Sequence, residues 1–384
     1  MIRYLKFGLV RVQNEIIGDG FLESSNSVEN ARPKSKSVPI IGKSEEFRKG
    51  KVICLSHKED VDGLASSILI TAAYKSPISV MLVDYANVIT RLNQIVDLTS
   101  GCESGNRRRK GMLFICDLGL NKKVERRFVE CIEKIITNGY RVTYIDHHDI
   151  SKESRSLLKE TGAKLIHSLQ ECTSVQIYKT FKRRLDPSAS FFAAAGALTD
   201  YMEDKPIASS IISRYDRQFL MLEATTLAYM ISANQHDDEF LRNLVSVLSQ
   251  MKYPHDIEGG FLIAQRYAKR ISEGVKSLRG SIVKRKNLAY AHSNLDLASS
   301  MVVNFVLGVS EKPAAMVYKF RDEIKSYVIS IRGSKDCKTH LGRLVNDVAL
   351  EIGGSGGGHD RACGAVVPRD KLETFIERLD SGIK

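Results

Sequence analysis

The sequence has no apolar segment that approaches the roughly 20 residues needed to cross a bilayer. Its first 20 residues have neither a long apolar core nor a small-residue cleavage site, so we expect no secretion signal. The seven cysteines form no C-x-x-C pair, and Cys54 and Cys116 lie inside apolar segments. This pattern is typical of reduced thiols in an intracellular protein and disfavours a zinc–cysteine site. We therefore expect a cytoplasmic protein with no membrane partner.

Acidic residues are fewer than basic ones. The chain has 57 Lys and Arg against 45 Asp and Glu, a formal net charge of +12. The basic residues cluster at 107–110, 182–184 and 266–286, and the last stretch has eight Lys or Arg and one acid. Such an excess favours a polyanionic partner. A like-charge cluster is also typical of a solvated helix face, so the sequence leaves both interpretations open.

The 384 residues are enough for two domains. A polar stretch at 23–50 has no sustained hydrophobic period, whereas strand-like and helix-like segments alternate after it. This alternation predicts an α/β fold with a parallel, doubly wound sheet, joined by helices to a smaller mixed α/β domain. The predicted parts are an N-terminal extension at 1–50, the parallel-sheet domain at 51–205, a helical connector at 206–286 and the second domain at 287–384.

Aspartate and histidine side chains follow three of the predicted strands, which end near residues 56, 116 and 145. A further aspartate ends the apolar helix that contains "GALTD". Because the carboxyl ends of parallel strands meet at one edge of a sheet, we expect these side chains to converge. A single aspartate in such a position can instead be a helix N-cap. In chain order, the candidates are His57, Asp60, Asp62, Asp117, Asp146, His147, His148 and Asp200.

Several carboxylates cannot share one site as anions without a counter-charge, because each raises the pKa of the others. A divalent cation removes this conflict. Mixed Asp and His ligands without thiolates suit Mn²⁺, and a bridging carboxylate can hold two ions about 3.5–4 Å apart for phosphoryl hydrolysis. We therefore expect two Mn²⁺ ions, with Mg²⁺ or Co²⁺ as substitutes.

The second domain contains the glycine-rich stretch "GGSGGGHDRACGA" at 353–365, which we interpret as a loop. Such a run can be a flexible linker. It lies, however, between a predicted helix and a predicted strand, and glycines let the backbone approach an anion closely. We expect a phosphate contact here, strengthened by a nearby arginine. The candidate substrate-binding residues are Arg332, Gly356, Gly357, Gly358, His359 and Arg361.

These motifs carry a family resemblance. "HKEDVDG", "CDLG", "DHH" and the aspartate of "GALTD" resemble the four motifs of the DHH phosphoesterase superfamily, and the glycine-rich stretch resembles the GGGH motif of the DHH-associated domain. Together they span about 51–384 in the expected order. The superfamily includes RecJ-type single-strand exonucleases, NrnA-like oligoribonucleases and phosphatases, cyclic-dinucleotide phosphodiesterases and degenerate replication-helicase subunits.

The resemblance implies a two-metal hydrolase, usually Mn²⁺-dependent, with its site in a cleft between two lobes. Asp117 would bridge the ions, Asp146 would support the ligands, and His148 would face the scissile phosphate. The first motif departs from the family pattern, because it reads H-x-x-D-x-D, and this departure bears on His57 most. The implied metal ligands are His57, Asp60, Asp62, Asp117, His147 and Asp200, and the implied catalytic residues are Asp146, His147 and His148.

Three functional hypotheses follow. The first is a RecJ-like exonuclease that hydrolyses single-stranded DNA or RNA to mononucleotides, which the basic clusters favour. The second is an NrnA-like oligoribonuclease or nucleotide phosphatase, or a cyclic-dinucleotide phosphodiesterase, because a compact site between two lobes suits short substrates equally well. The third is a non-catalytic replication or repair subunit of the same fold. The expected partners are single-stranded nucleic acid or short oligonucleotides, replication or repair proteins, and a second copy of the chain.

Overall fold

The computed structural model describes residues 52–74, 78–100, 111–120, 124–358 and 360–384. The predicted N-terminal extension, the basic cluster at 107–110 and His359 therefore lie outside the described residues. All of the described residues belong to one compact unit. None of the helices in the described residues is long and apolar enough to span a membrane.

The first part of this unit contains a five-stranded sheet in which every neighbouring pair is parallel. Its order is β2-β1-β3-β4-β5, so the chain changes direction across the sheet between β1 and β3. The predicted parallel sheet is confirmed. The elements are β1 (Val52–His57), α1 (Val61–Ala73), β2 (Ile78–Val83), α2 (Val88–Ser100), β3 (Gly111–Cys116), α3 (Glu125–Thr137), β4 (Tyr140–Asp146), α4 (Lys152–Glu160) and β5 (Lys164–His167).

A run of helices follows the parallel sheet and covers one of its faces. They are α5 (Thr173–Phe181), α6 (Ser190–Thr199), α7 (Pro206–Ile212), α8 (Arg217–Ala233), α9 (Asp238–Leu248) and α10 (Gly260–Leu278). Strand β1 shows why the sheet is covered on both sides. Val52 and Cys54 pack with residues of α1, α5 and α6, whereas Ile53 and Leu55 pack with residues of α2 and α3. Successive side chains of a strand point to opposite faces, so a continuous apolar strand needs a helix layer on each face.

The second part is a six-stranded sheet of order β10-β11-β9-β8-β7-β6. Only the β7–β8 pair is parallel, so the predicted mixed α/β domain is confirmed. Helix α11 packs on one face, and α12 and α13 pack on the other. The elements are β6 (Val283–Lys284), β7 (Leu288–His292), α11 (Ser299–Ser310), β8 (Ala314–Arg321), β9 (Ser326–Gly333), α12 (Leu341–Glu351), β10 (Ser355–Gly358), β11 (Ala362–Pro368) and α13 (Leu372–Gly382).

The glycine-rich stretch is partly a strand, so the predicted loop is wrong for residues 355–358. These residues form the edge strand β10, which pairs antiparallel with β11. A Cβ atom at Gly356 would lie 2.9 Å from Cγ1 of Val345 in α12. Gly358 has a φ of +137°, and a Cβ atom there would lie 2.6 Å from the Ala362 carbonyl oxygen. Close packing by α12 and β11 therefore requires glycine, a requirement that strand propensity does not reveal.

The basic stretch at 266–286 extends from α10 past β6. Two of its arginines form ion pairs with acidic side chains. Arg270 lies 2.6 Å from Oδ2 of Asp296, and Arg285 forms an ion pair with Glu373. The interpretation as a solvated helix face therefore accounts for part of this stretch.

Candidate functional site

The candidate residues of the first domain lie at the carboxyl edge of the parallel sheet. His57 and Asp146 are the last residues of β1 and β4, and Asp117 directly follows β3. Strands β1 and β3 flank the point where the strand order reverses, and open α/β sheets bind ligands outside such a point. The fold thus brings residues that are up to 143 positions apart in the sequence (57 to 200) to one edge.

Asp62 is held by the amino end of α5. The carboxylate accepts hydrogen bonds from the backbone N–H of Thr173 at 2.8 Å, from the N–H of Ser174 at 3.0 Å and from its hydroxyl at 2.5 Å. The side chain is buried, and a helix amino terminus favours a negative charge. These contacts hold the carboxylate in one orientation.

Asp117 is buried and has a left-handed backbone with a φ of +58°. Backbone strain of this kind is found at functional sites, because the surrounding structure must maintain it. The hydroxyl of Thr173 donates to Oδ1 of Asp117 at 3.0 Å. Burial and the nearby Asp62 raise the pKa of Asp117, although His147 and His148 act in the opposite direction. The charged form of Asp117 is therefore disfavoured unless positive charge lies nearby.

His147 lies among three carboxylates. Its Nδ1 atom is 3.3 Å from Oδ1 of Asp117 and 3.6 Å from Oδ2 of Asp62, and its Nε2 atom is 3.0 Å from Oδ2 of Asp200. Burial by itself lowers the pKa of His147, but the contacts with Asp117 and Asp200 outweigh it and raise the pKa to about 11. In the absence of a metal ion, a proton on His147 is the counter-charge of the cluster.

Asp146 and His148 form a separate pair. Oδ1 of the fully buried Asp146 lies 2.9 Å from Nδ1 of His148, and Oδ2 accepts the backbone N–H of His148 at 3.1 Å. Burial lowers the pKa of His148, but the Asp146 carboxylate outweighs it and raises the pKa to about 9. The His148 ring stacks on His147 with 4.4 Å between the centroids, and about one third of its side chain is exposed. Its ring nitrogen Nδ1 is engaged by Asp146, which leaves Nε2 as the ring nitrogen that could meet a ligand.

Two groups of donor atoms can each hold a metal ion within a span of 4.8 Å. The first consists of Asp117, Asp146, His147 and His148, and the second consists of Asp62, His147 and Asp200. His147 belongs to both. Because Asp146 and His148 already bind each other, we regard Asp117 and His147 as the members of the first group that are available to an ion.

His57 and Asp60 belong to neither group. Nε2 of the buried His57 is 3.6 Å from Oδ2 of Asp60, and Oδ1 of Asp60 accepts the Gly63 N–H at 2.9 Å as the N-cap of α1. The N-cap interpretation therefore holds for Asp60. Gly63 permits a close approach of α1, because a Cβ atom there would lie 2.4 Å from the His57 carbonyl oxygen.

The residues fit a divalent cation. Nδ1 of His57 and Oδ2 of Asp200 are buried, and neither has a hydrogen-bond partner in the described structure. Oδ2 of Asp200 is at ion-pair distance from His147, but no donor approaches it with hydrogen-bond geometry. Buried polar atoms without partners are costly, and a cation would satisfy the oxygen. A set of carboxylate oxygens and imidazole nitrogens suits Mn²⁺ or Mg²⁺ better than a thiophilic metal.

Sequence analysis missed two parts of the site. Thr173 and Ser174 position Asp62 and Asp117, and their place at the start of a predicted helix is a signal that could have identified them. The other part is the ion pair of the buried Lys58 with Asp238, in which Nζ and Oδ1 are 2.8 Å apart. No sequence signal links these two residues, which are 180 positions apart.

Arg332 of the second domain lies near the carboxyl edge of the first. Its guanidinium is partly buried and is close enough to Tyr201, the neighbour of Asp200, for their charges to interact. Burial lowers the pKa of Arg332, and none of the described carboxylates pairs with it. Arg361 is exposed, and its Nε atom lies 3.5 Å from Oδ2 of Asp360. A partly buried cation without a carboxylate partner is suited to binding an anionic ligand.

The chain resembles known proteins in sequence and in fold. Residues 288–384 match the family model of the DHHA1 domain. An uncharacterized protein of Methanocaldococcus jannaschii is 27% identical over 286 residues, which are 68% of this chain. The chain spans 58% of the length of that relative.

Three solved structures resemble the chain in fold. A DHH domain described as a member of the s1p family of ribosomal proteins has a TM-score of 0.67 at 12% identity, with 88% of this chain and 87% of that chain covered. RecJ of Thermus thermophilus in complex with Mn²⁺ has a TM-score of 0.58 at 14% identity, with 88% and 52% covered. A pGpG-specific phosphodiesterase of Vibrio cholerae has a TM-score of 0.51 at 11% identity, with 86% and 98% covered. At these identities the likeness shows the fold.

Proposed function

We propose that this chain, which belongs to the DHH phosphoesterase superfamily, is a metal-dependent phosphodiesterase that shortens single-stranded DNA or RNA from an end. The observation that carries the proposal is the pair of donor groups that share His147, with the exposed edge of His148 beside them. This arrangement combines a site for cations with a positioned proton donor, and hydrolysis of a phosphodiester uses both.

The residues that would hold the ions are Asp62, Asp117, His147 and Asp200. We propose two Mn²⁺ ions, because two donor groups adjoin each other, Asp62, Asp117 and Asp200 supply three carboxylates, and every donor atom is oxygen or imidazole nitrogen. When bound, such ions supply Lewis acidity, which polarises the phosphoryl oxygen and lowers the pKa of water. The hydrogen bonds from α5 to Asp62 and from Thr173 to Asp117 keep these carboxylates oriented.

His148 would act on the scissile phosphate. Asp146 binds Nδ1 and raises the pKa of the ring to about 9 in the metal-free protein, which favours the protonated form of His148. Its Nε2–H can then donate a hydrogen bond to a phosphate oxygen or a proton to the leaving oxygen. Asp146 is the positioning residue in this arrangement, because it is fully buried and touches the substrate only through His148.

The second domain would bind the phosphate of the terminal nucleotide. Arg332 is a partly buried cation near Tyr201, and the edge strand β10 leaves one side of its glycine backbone without a neighbouring strand. A guanidinium and backbone N–H groups are both good phosphate donors. The positive net charge of the chain further favours a polyanionic substrate.

A second candidate is a phosphodiesterase for very short or cyclic oligonucleotides. The fold covers 98% of the pGpG-specific enzyme but 52% of RecJ. The basic cluster at 182–184 lies at the other edge of the sheet, because Arg184 is grouped with residues at the amino ends of β3, β4 and β5. The cluster is therefore poorly placed to guide a long nucleic acid into the site.

The test is Mn²⁺-dependent hydrolysis of end-labelled single strands of 2 to about 30 nucleotides, with DNA and RNA side by side. The Asp146→Ala/His147→Ala variant removes the proposed site. The matched control is His236→Ala/Asp322→Ala, because it deletes the same two residue types at exposed positions.

Progressive shortening of long strands by the wild type and the control, but not by the site variant, is the expected result. Turnover restricted to the shortest strands would replace the exonuclease with the second candidate. If the protein binds strands but hydrolyses none with Mn²⁺, Mg²⁺ or Co²⁺, the enzymatic proposal is wrong and a non-catalytic subunit remains.

A further inference from the structure

A second concave site lies at the opposite edge of the parallel sheet. It is a cavity of about 700 Å³ at the amino ends of β3, β4 and β5. This volume is within the range of about 300–1,000 Å³ that is typical of small-molecule sites. Arg141 in the cavity and Asp146 at the catalytic edge are five residues apart on β4, which is about 17 Å along the strand. The cavity is therefore separate from the candidate active site.

Aromatic side chains, among them Tyr74, Phe114 and Phe181, line part of this cavity. The Phe114 ring is buried, and it lies 5.7 Å from Phe181 and 5.5 Å from Tyr74, as measured between centroids. Tyr74 and Phe181 are partly exposed, and their centroids are 6.1 Å apart. An aromatic surface of this kind offers a face on which a planar heterocycle can stack.

Three cations line the rim of the cavity, and no acid does so among the described residues. They are Arg141, Lys164 and Arg184, all exposed. In the described structure, none of them has a carboxylate within 4.0 Å. The Arg184 guanidinium lies 5.2 Å above the Tyr74 ring, so it is held at the cavity while its N–H groups remain free to bind an anion.

We propose that this cavity is a nucleotide-binding site that is distinct from the catalytic edge. The heterocyclic base would pack against Phe181, beside the Tyr74 ring that Arg184 covers, and Arg141, Lys164 and Arg184 would bind the phosphate. An aromatic surface alone would accept neutral ligands, and cations alone would accept any anion, so the combination selects a base that carries a phosphate. That chemistry is found in a free nucleotide and in one nucleotide of a single strand.

The test is calorimetric titration with adenosine 5′-monophosphate and with an eight-residue oligothymidylate, in the presence of chelator to suppress hydrolysis. The variant Arg141→Glu/Arg184→Glu reverses two rim charges. The matched control Arg217→Glu/Lys252→Glu makes the same change in net charge at exposed positions outside the cavity. His147→Ala reports binding at the catalytic edge, and adenosine and inorganic phosphate are titrated as partial ligands.

We expect the rim variant to bind the monophosphate at least tenfold more weakly than the control, with little change in His147→Ala. A tenfold loss of affinity that is confined to the oligothymidylate also supports the site, and it shows that the bound nucleotide belongs to a single strand. Equal affinities of the rim variant and the control for both ligands would disprove the proposal. So would binding that is lost only in His147→Ala, or inorganic phosphate that binds as tightly as the nucleotide.

Hydrolysis of a dinucleotide is measured on the same proteins, because it tests the proposed function separately. The rim variant should retain wild-type turnover of this short substrate. A chain that binds nucleotide at the rim but hydrolyses nothing would contradict the proposed function and leave the second site intact.

Discussion

Nδ1 of His148 lies 2.9 Å from Oδ1 of Asp146, and the His148 backbone N–H donates to Oδ2 of the same carboxylate. One side chain of the DHH motif thus orients another. The central His147 instead contacts Asp117 and Asp200. Three consecutive residues therefore belong to two arrangements: Asp146 orients His148, whereas His147 lies among the carboxylates of the candidate cation site.

This division predicts that Asp146→Asn impairs hydrolysis much more than metal binding. The amide cannot stabilise the imidazolium, so turnover should fall about 10²- to 10³-fold. Asp149→Asn is the matched control, since Asp149 is the exposed acid that directly follows the motif. Steady-state kinetics and Mn²⁺ titration would be made on both variants. A loss of metal affinity as large as the loss of turnover would show that Asp146 is itself a ligand.

Asp117→Asn should make the metal-free protein more stable and the enzyme inactive. Burial and Asp62 raise the pKa of Asp117, so a neutral amide is favoured at this position. Asparagine also tolerates the left-handed backbone. We expect a gain of about 0.5–2 kcal/mol in the free energy of unfolding in chelator. Urea titration measures it against Asp322→Asn, a control at an exposed acid. A less stable Asp117→Asn protein would contradict the argument.

Gly196→Ala should damage both the fold and the site. A Cβ atom at this position of α6 would lie 2.3 Å from the Ser174 hydroxyl oxygen and 2.8 Å from Oδ1 of Asp62. The resulting strain should cost about 1–3 kcal/mol and weaken Mn²⁺ binding through Asp62. Gly308→Ala is the matched control in α11, because its Cβ atom would meet nothing within 4 Å. The Gly308→Ala protein should be as stable as the wild type, or more stable by about 0.5–1 kcal/mol. Equal effects of the two substitutions would refute this account.

The stability of the metal-free protein should depend on pH through His148. Its pKa is raised from 6.5 to about 9 in the folded state, so the folded state holds the proton more tightly than the unfolded state. The contribution of protonated His148 to the free energy of unfolding is fully present below pH 6.5 and is lost as the pH rises through 9. The stability difference between the wild type and His148→Gln should therefore be largest near pH 6 and smallest near pH 9.5. Urea unfolding in chelator at several pH values measures it, and a difference that grows with pH would reverse the expected sign.

Much of the fold was predictable, because the strands of the parallel sheet are short apolar runs and the helices between them have a clear period. Strand β2, Ile78–Val83, is one such run. Strands β6 and β10 were not predicted, because one has two residues and the other is mostly glycine. Neither strand has an alternation of apolar and polar side chains that could predict it, and both form by pairing with neighbouring strands.

The sequence by itself determined which residues reach the carboxyl edge of the sheet, because alternating strands and helices place every parallel strand end on the same side. Only the tertiary structure decided which of those residues meet. Packing of α5 against α1 brings Thr173 to Asp62, and the end of α6 brings Asp200 to His147, whereas the contacts of Asp146 with His148 and of Asp60 with Gly63 are local. The same holds for the aromatic cavity at the opposite edge, whose residues come from several separate elements. Local periodicity encodes the elements, whereas side-chain contacts over a hundred residues depend on how those elements pack.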